Sequence, residues 1–135
     1  MIYLLDTNTC IRYLNGRSPS TRQRLQAVPK TDIVVCAIVK AELYYGAAKS
    51  RDPQRSWARQ QTFLAQYASL PFDDTAAEIY GRIRADLETR GTPIGGNDVQ
   101  IAAIALAYNL TLVTHNTREF SRVVGLTLED WEITP

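Results

Sequence analysis

Apolar residues along this chain form short continuous runs that alternate with longer stretches at helical spacing. The continuous runs, at residues 2–5, 33–35 and 111–113, are typical of strands buried on both faces of a parallel sheet. A last short strand is expected near residues 126–128. The pattern therefore predicts four strands.

Helical spacing and turn residues predict six helices between these strands. The first starts at Thr7 and closes at Asn15-Gly16, and the fourth runs from Asp52-Pro53 to about Pro71. The others cover residues 18–28, 39–47, 74–90 and about 97–108. The segment 93–96 is predicted to be a glycine loop, and 115–119 a polar loop.

Strands separated by helices of ten or more residues require crossover connections, so we expect an α/β fold with a central, mostly parallel sheet flanked by helices. The 135 residues suffice for one domain, and we expect a single domain over 1–135. No repeat or low-complexity tract divides the chain.

Composition places the chain among ordinary globular proteins, with 45% hydrophobic and 21% charged residues. A formal net charge of +1 means that any nucleic-acid affinity must come from a local patch. Lys30, Lys40 and Lys49 are the only lysines among 15 basic residues, so arginine supplies the other twelve. Guanidinium groups suit phosphate contacts, although arginine is also common on helix faces.

The cysteines and the apolar N-terminal run indicate the cellular compartment of the protein. Cys10 and Cys36 lie far apart in apolar surroundings, as expected for reduced, buried thiols. The run at residues 2–5 is short, lacks a basic start and is ended by Asp6, unlike a secretory signal. No stretch reaches the roughly 18 apolar residues of a membrane span. We therefore expect a cytoplasmic protein without a membrane partner.

Candidate chemistry gathers at the carboxyl ends of the predicted strands, where open α/β sheets bind ligands. Asp6 ends the first strand, Glu42 lies one turn into the helix after the second, and Asp98 stands at the start of a helix. Asn116 and Glu119 lie in the loop after the third strand. These acids would resist ionising together unless a cation were present.

Carboxylate and amide oxygens favour a hard dication, Mg²⁺ or Mn²⁺, that keeps waters and bridges to a phosphate. Such an ion can activate a water and neutralise charge on a phosphodiester. Each residue also has a simpler interpretation: Asp6 and Asp98 can cap helices, and Glu42, Asn116 and Glu119 can be solvated surface groups. His115, the single histidine, cannot make a zinc site alone.

Four segments resemble the signatures of PIN-domain toxins of the VapC type. The opening Asp6-Thr7-Asn8 resembles the Asp-Thr-Asn signature, and Ala41-Glu42-Leu43-Tyr44-Tyr45-Gly46 is similar to the family's Ala-Glu-Leu-x-x-Gly helix. Pro93-Ile94-Gly95-Gly96-Asn97-Asp98 looks like the Pro-Ile-Gly-x-Asn-Asp helix start. Thr114-His115-Asn116-Thr117-Arg118-Glu119-Phe120 looks like the Thr-x-Asn-x-x-(Asp or Glu)-Phe loop. Together they span nearly the whole chain in the right order.

The resemblance implies a three-layer PIN fold in which Asp6, Glu42 and Asp98 hold one or two magnesium ions. Asn116 replaces an aspartate found in many PIN domains, and Glu119 then supplies the missing charge as a further catalytic residue. The remaining implied site residues are supporting ones, Thr7, Asn8, Thr114 and Asn116, and substrate-binding ones, Arg118 and His115.

The function that the resemblance implies is a metal-dependent endoribonuclease, the toxin of a VapBC-type toxin–antitoxin module. It would cut a structured RNA, which the resemblance implies to be a tRNA, and so inhibit translation. Implied partners are a VapB-like antitoxin, a second copy in a homodimer and a higher toxin–antitoxin complex. Tyr44, Tyr45, Trp57 and Phe63 are candidates for the antitoxin groove or for the core.

Other classes fit less well. A doubly wound phosphatase needs a second aspartate two residues after Asp6, where Asn8 stands, and a receiver domain needs a late lysine beyond Lys49. Dinucleotide and P-loop glycine patterns are missing. A PIN-like binding module without catalysis and a DNA nuclease stay open, since the same metal chemistry serves either sugar.

Overall fold

Five strands pair in one parallel sheet in the computed structural model of the chain, which describes residues 1–133. The order across the sheet is β3-β2-β1-β4-β5, so β1 is central. This confirms the predicted α/β fold, with every pairing parallel. The strands are β1 (Tyr3–Leu5), β2 (Ile33–Cys36), β3 (Ala68–Leu70), β4 (Thr111–Val113) and β5 (Leu128–Glu129).

Burial on both faces explains the continuous apolar runs of the central strands. Leu4, Leu5, Val34 and Leu112 are inaccessible to solvent, because helices cover the sheet. Seven α-helices are formed by residues 1–133, with a 3₁₀ turn at Lys30–Asp32. They are α1 (Thr7–Leu14), α2 (Pro19–Ala27), α3 (Ala37–Ala48), α4 (Pro53–Leu64), α5 (Asp74–Thr89), α6 (Gly96–Ala107) and α7 (Thr117–Phe120).

Side-chain caps fix several of these helix starts. Asp6, Ser18, Asp52 and Asp73 each accept a hydrogen bond from a backbone N–H of the helix that follows. Proline at the first position of α2 and α4 strengthens the same signal, since it needs no hydrogen-bond partner there. The predicted starts of these helices are therefore confirmed.

Two predicted elements were wrong. The fourth helix does not reach Pro71: it ends at Leu64, and Ala68–Leu70 forms an edge strand beside β2. This strand is short and its first two residues are exposed, so it carries no apolar run. The predicted polar loop at 115–119 contains the one-turn helix α7, which buries Phe120. Its single turn is too short for a periodic pattern.

Cys10 and Cys36 are both buried and unpaired, as the sequence predicted. No helix within residues 1–133 has the length and apolar character needed to cross a membrane.

Candidate active site

Asp6 lies where the central strand β1 ends and α1 begins, at the carboxyl edge of the sheet. Its backbone N–H donates to the carbonyl of Val113 on β4, and its Oδ1 accepts a 2.8 Å hydrogen bond from the N–H of Thr9. The carboxyl is almost fully buried, and this burial raises its pKa. Hydrogen bonds from the Thr114 and Thr9 hydroxyls favour the ionised form and partly offset this increase. Asp6 therefore has two roles at the carboxyl edge of the sheet. It caps α1, and it lies in the candidate active-site crevice, which is defined by Asp6, Glu42, Asp98 and Glu119.

Glu42 reaches the crevice from the first half of α3. The hydroxyl of Thr7 donates a 2.6 Å hydrogen bond to its Oε1. Leu43, the next residue, is 2% exposed and packs in the core, which fixes the core-facing side of α3. Glu42 lies beside that side of the helix and is half-buried. The contact with Thr7 supports the predicted orienting role of this threonine.

Asp98 stands in the first turn of α6, which is capped by Gly95 and begins at Gly96, one residue earlier than the predicted loop 93–96 implied. Burial, followed by the charges of Glu42, Asp6 and Glu119, raises the pKa of Asp98 to about 6. Asp98 thus lies within electrostatic range of Glu42, Asp6 and Glu119, although the four acids come from four separate segments. The structure brings together the acids that the sequence singled out.

Glu119 is held from α7 by its neighbour in the same loop. Asn116 Nδ2 donates a 3.2 Å hydrogen bond to Glu119 Oε2, and Asn116 N–H donates to the buried Thr114 hydroxyl at 2.9 Å. Asn116 therefore orients an acid here, as an aspartate in its place could not at neutral pH.

The remaining predicted residues lie at the rim. Asn8 is exposed and makes no side-chain hydrogen bond with residues 1–133, so its predicted supporting contact is not formed. Arg118 and His115 are exposed on the loop after β4, where a substrate could reach them. His115 Nδ1 lies 2.9 Å from Asp130 Oδ2.

Sequence reasoning missed Thr9, Arg12 and two acids after β5, Asp130 and Glu132. Thr9 could have been found, because a helix capped by Asp6 directs the third helical N–H at the cap. Arg12 forms an ion pair with Glu132, whose charge also acts on Asp6. That contact depends on strand order, which local sequence does not encode.

Oxygen donors in the crevice fit a hard cation, because three carboxylates without thiolate or imidazole are what Mg²⁺ or Mn²⁺ prefers. The raised pKa values of Asp6 and Asp98 fit as well: burial is the main cause of both, the charges of Glu42, Asp6 and Glu119 add to the rise at Asp98, and a bound dication would favour the ionised form of each acid. Within residues 1–133, the one set of three potential ligand atoms within 4.8 Å of each other is a different one, His115, Asp130 and Glu132. The crevice acids do not form such a set, so no three of these acids have carboxylate oxygens within 4.8 Å of one another.

Comparisons with known proteins agree on one family. The sequence profile of the PIN domain matches residues 3–126. The chain is 39% identical over 133 residues to Ribonuclease VapC2 of Rickettsia felis, covering 98% of this chain and 99% of that protein. It is 39% identical over 129 residues to the tRNA(fMet)-specific endonuclease VapC of Salmonella typhimurium, covering 96% and 97%.

Solved structures similar to this chain include VapBC complexes. VapBC2 from Rickettsia felis, bound to a DNA fragment from its promoter, superposes with a TM-score of 0.91 at 39% identity over 97% of this chain and 99% of that chain. DNA-bound VapBC from Salmonella typhimurium gives 0.92 at 38% identity over 97% and 98%.

Proposed function

The chain belongs to the PIN-domain family, among the VapC ribonucleases of toxin–antitoxin systems, and on that premise we propose that it is a Mg²⁺-dependent endoribonuclease. The observation that supports the metal dependence is the electrostatic coupling of Asp98 to Asp6, Glu42 and Glu119. The negative charges of Glu42, Asp6 and Glu119 oppose the ionisation of Asp98, and a bound dication would remove that opposition. We further propose that residues 1–135 act as one PIN domain.

Asp6, Glu42 and Asp98 would hold the ion, Mg²⁺ or Mn²⁺, which when bound supplies an activated water and charge neutralisation at a phosphodiester. Glu119 adds the fourth negative charge to the crevice and accepts hydrogen bonds there, in the place left uncharged by Asn116. Thr7, Thr9 and Thr114 hold the acids in position. Arg118 and His115, exposed at the rim, would contact the RNA backbone.

Transfer RNA is the substrate we propose. The relatives of Salmonella typhimurium and Shigella flexneri, at 39% and 40% identity, are named tRNA(fMet)-specific endonucleases. Cleavage of a tRNA would stop translation, which is the effect expected of a toxin working in the cytoplasm. Because the net charge is only +1, we expect the rim around Arg118, and not the whole surface, to bind the RNA.

A VapB-like antitoxin is the proposed protein partner, since the similar solved structures from Rickettsia felis and Salmonella typhimurium are VapBC complexes. We also propose a homodimer that assembles with the antitoxin into a larger complex. Tyr45 and Trp57 are 66% and 47% exposed, and Trp57 stacks on Tyr44 at 4.6 Å between ring centroids, so these rings are available for an interface. Phe63 is 3% exposed and belongs to the core.

Incubation of antitoxin-free protein with total cellular RNA tests this function. Wild type, Asp98→Asn and the control Glu78→Gln, which removes an exposed acid from α5, are each assayed with Mg²⁺, with Mn²⁺ and with EDTA. We expect discrete tRNA fragments from wild type and Glu78→Gln only when metal is present, and none from Asp98→Asn.

Other outcomes would assign another function. Cleavage of DNA but not RNA would contradict the toxin mechanism, and metal-independent RNA binding without cleavage would indicate a binding module. Cleavage that persists in EDTA would contradict the metal dependence while leaving the nuclease intact.

A further inference from the structure

A second cluster of potential metal ligands lies at the carboxyl edge of the sheet, on the side away from β2. The parallel register pairs Val113 of β4 with Glu129 of β5, so the residues that follow these strands emerge side by side. His115 follows β4, and Asp130 and Glu132 follow β5. Neighbouring strands thus bring His115 beside two acids that follow it by 15 and 17 positions.

One ligand atom from each of these residues lies within 4.8 Å of the other two. Asp130 Oδ2 is 2.9 Å from His115 Nδ1, and Glu132 Oε2 is 4.0 Å from the same nitrogen. The Asp130 carboxylate is held by its other oxygen, because Oδ1 accepts a 2.9 Å hydrogen bond from the backbone N–H of Glu132. Two carboxylate oxygens therefore face one imidazole nitrogen.

Glu132 carries the observation that points to a ligand. Its side chain is only 7% exposed, and Arg12 pairs with Oε1, whereas Oε2 has no hydrogen-bond partner among residues 1–133. A buried charged oxygen normally has such a partner, and leaving one without it is unfavourable. This unpartnered oxygen is directed at His115, so the Glu132 carboxylate is positioned by Arg12 for something that is bound between them.

We propose that His115, Asp130 and Glu132 form a second divalent-cation site, separate from the crevice acids, for a borderline metal ion such as Zn²⁺. One imidazole nitrogen with two carboxylate oxygens suits Zn²⁺ better than Mg²⁺, which favours oxygen ligands alone. His115 is 62% exposed, so the fourth position of the ion opens to water or to a substrate phosphate. The ion requires the His115 tautomer that carries its hydrogen on Nε2.

Charge supports a dication at this place. The two carboxylates contribute two negative charges and Arg12 offsets one of them, so the cluster keeps a net negative charge. The charge of Glu132 also contributes to the raised pKa of Asp6, so a cation in the cluster would ease ionisation in the neighbouring crevice. The cluster therefore connects the last strand electrostatically to the candidate active site.

A protein that lacks two of its three proposed crevice ligands tests this site. In the double variant Glu42→Gln/Asp98→Asn, Zn²⁺ is titrated by calorimetry and Co²⁺ by visible absorption. We expect one saturable ion per chain, and a Co²⁺ spectrum without the thiolate charge-transfer band, because Cys10 and Cys36 are buried. Adding His115→Gln should weaken Zn²⁺ binding by at least about tenfold, since it removes one of only three protein ligands.

Two controls keep the result interpretable. Glu78→Gln, which removes an exposed acid from α5, should leave the Zn²⁺ affinity of the same background unchanged. Asp130→Asn keeps the acceptor for the Glu132 N–H and should weaken binding, with the near-UV signal of the buried Trp131 reporting an intact fold. No saturable Zn²⁺ binding in the double variant, or equal Zn²⁺ affinity with and without His115, would overturn the proposal. The contact between His115 and Asp130 would then be a hydrogen bond and not part of a metal site.

Discussion

The hydroxyl of Thr7 donates a 2.6 Å hydrogen bond to Oε1 of Glu42, which joins the first turn of α1 to the first half of α3. The two residues are 35 positions apart. Asp6 caps the same helix that Thr7 begins. One turn of helix therefore fixes the separation between two crevice acids, and any metal bound between them depends on it.

Thr7→Val should lower RNA cleavage by about 10- to 100-fold, the usual effect of losing a group that orients a metal ligand. Valine has nearly the shape of threonine but no donor, so Glu42 loses its direction while the packing is preserved. Thr7→Ser keeps the hydroxyl and should retain most activity. The check is kcat and apparent Mg²⁺ affinity for the three proteins; equal loss in the serine and valine variants would indicate packing and not the hydrogen bond.

Asp6→Asn and Asp6→Ala separate charge from capping. Asparagine accepts the Thr9 N–H as aspartate does and places no charge in this buried position, so Asp6→Asn should keep or raise the free energy of unfolding at neutral pH and abolish cleavage. Asp6→Ala loses the cap as well and should be less stable than Asp6→Asn by about 1 kcal/mol. Urea unfolding and RNA cleavage are the measurements. An active Asp6→Asn protein would contradict the assignment of Asp6 as a metal ligand.

Asp98 should destabilise the metal-free protein at neutral pH. Its folded pKa of about 6 lies above the ordinary value of 3.8, so the folded state binds this proton more tightly than the unfolded state does. The resulting stability is complete below pH 3.8 and is lost as the pH rises through about 6. By linkage the loss amounts to no more than roughly 3 kcal/mol.

Asp98→Asn should therefore melt at a higher temperature than wild type in EDTA at pH 8, by several degrees. Its advantage should grow between about pH 4 and pH 6 and then level off. Mg²⁺ should raise the melting temperature of wild type more than that of the variant, because binding stabilises only a competent folded state. Thermal melts across this pH range check the prediction, and a variant that melts lower than wild type at pH 8 would contradict it.

Arg118→Ala should weaken tRNA binding and reduce the salt dependence of the dissociation constant by about one phosphate contact. Arg118 is exposed on α7, next to Glu119, at the carboxyl edge of the sheet. Arg51 is exposed beyond the far end of α3, away from that edge, so Arg51→Ala is the matched control. Binding is measured on catalytically inactive Asp98→Asn protein at several salt concentrations; identical slopes for all three proteins would exclude the contact.

Local sequence was sufficient wherever a residue's environment depends on its neighbours in the chain. Helix starts at Pro19 and Pro53 were predicted because a capping side chain and a following proline satisfy the same local geometry. The acids Asp6 and Asp98 were found because each stands at a strand end or helix start. Ala68–Leu70 was missed because an exposed, three-residue edge strand exists only through its pairing with β2.

The sequence by itself determined the alternation of strands and helices apart from β3 and α7, the candidate acids of the crevice and the absence of a disulfide framework, since periodicity, capping and residue chemistry are local properties. Only the tertiary structure decided which acids meet. The order β2-β1-β4-β5 places Glu42, Asp6 and Glu119 around one edge and brings His115 beside Asp130 and Glu132. Strand order follows from packing between distant segments, and a single sequence does not specify that packing locally.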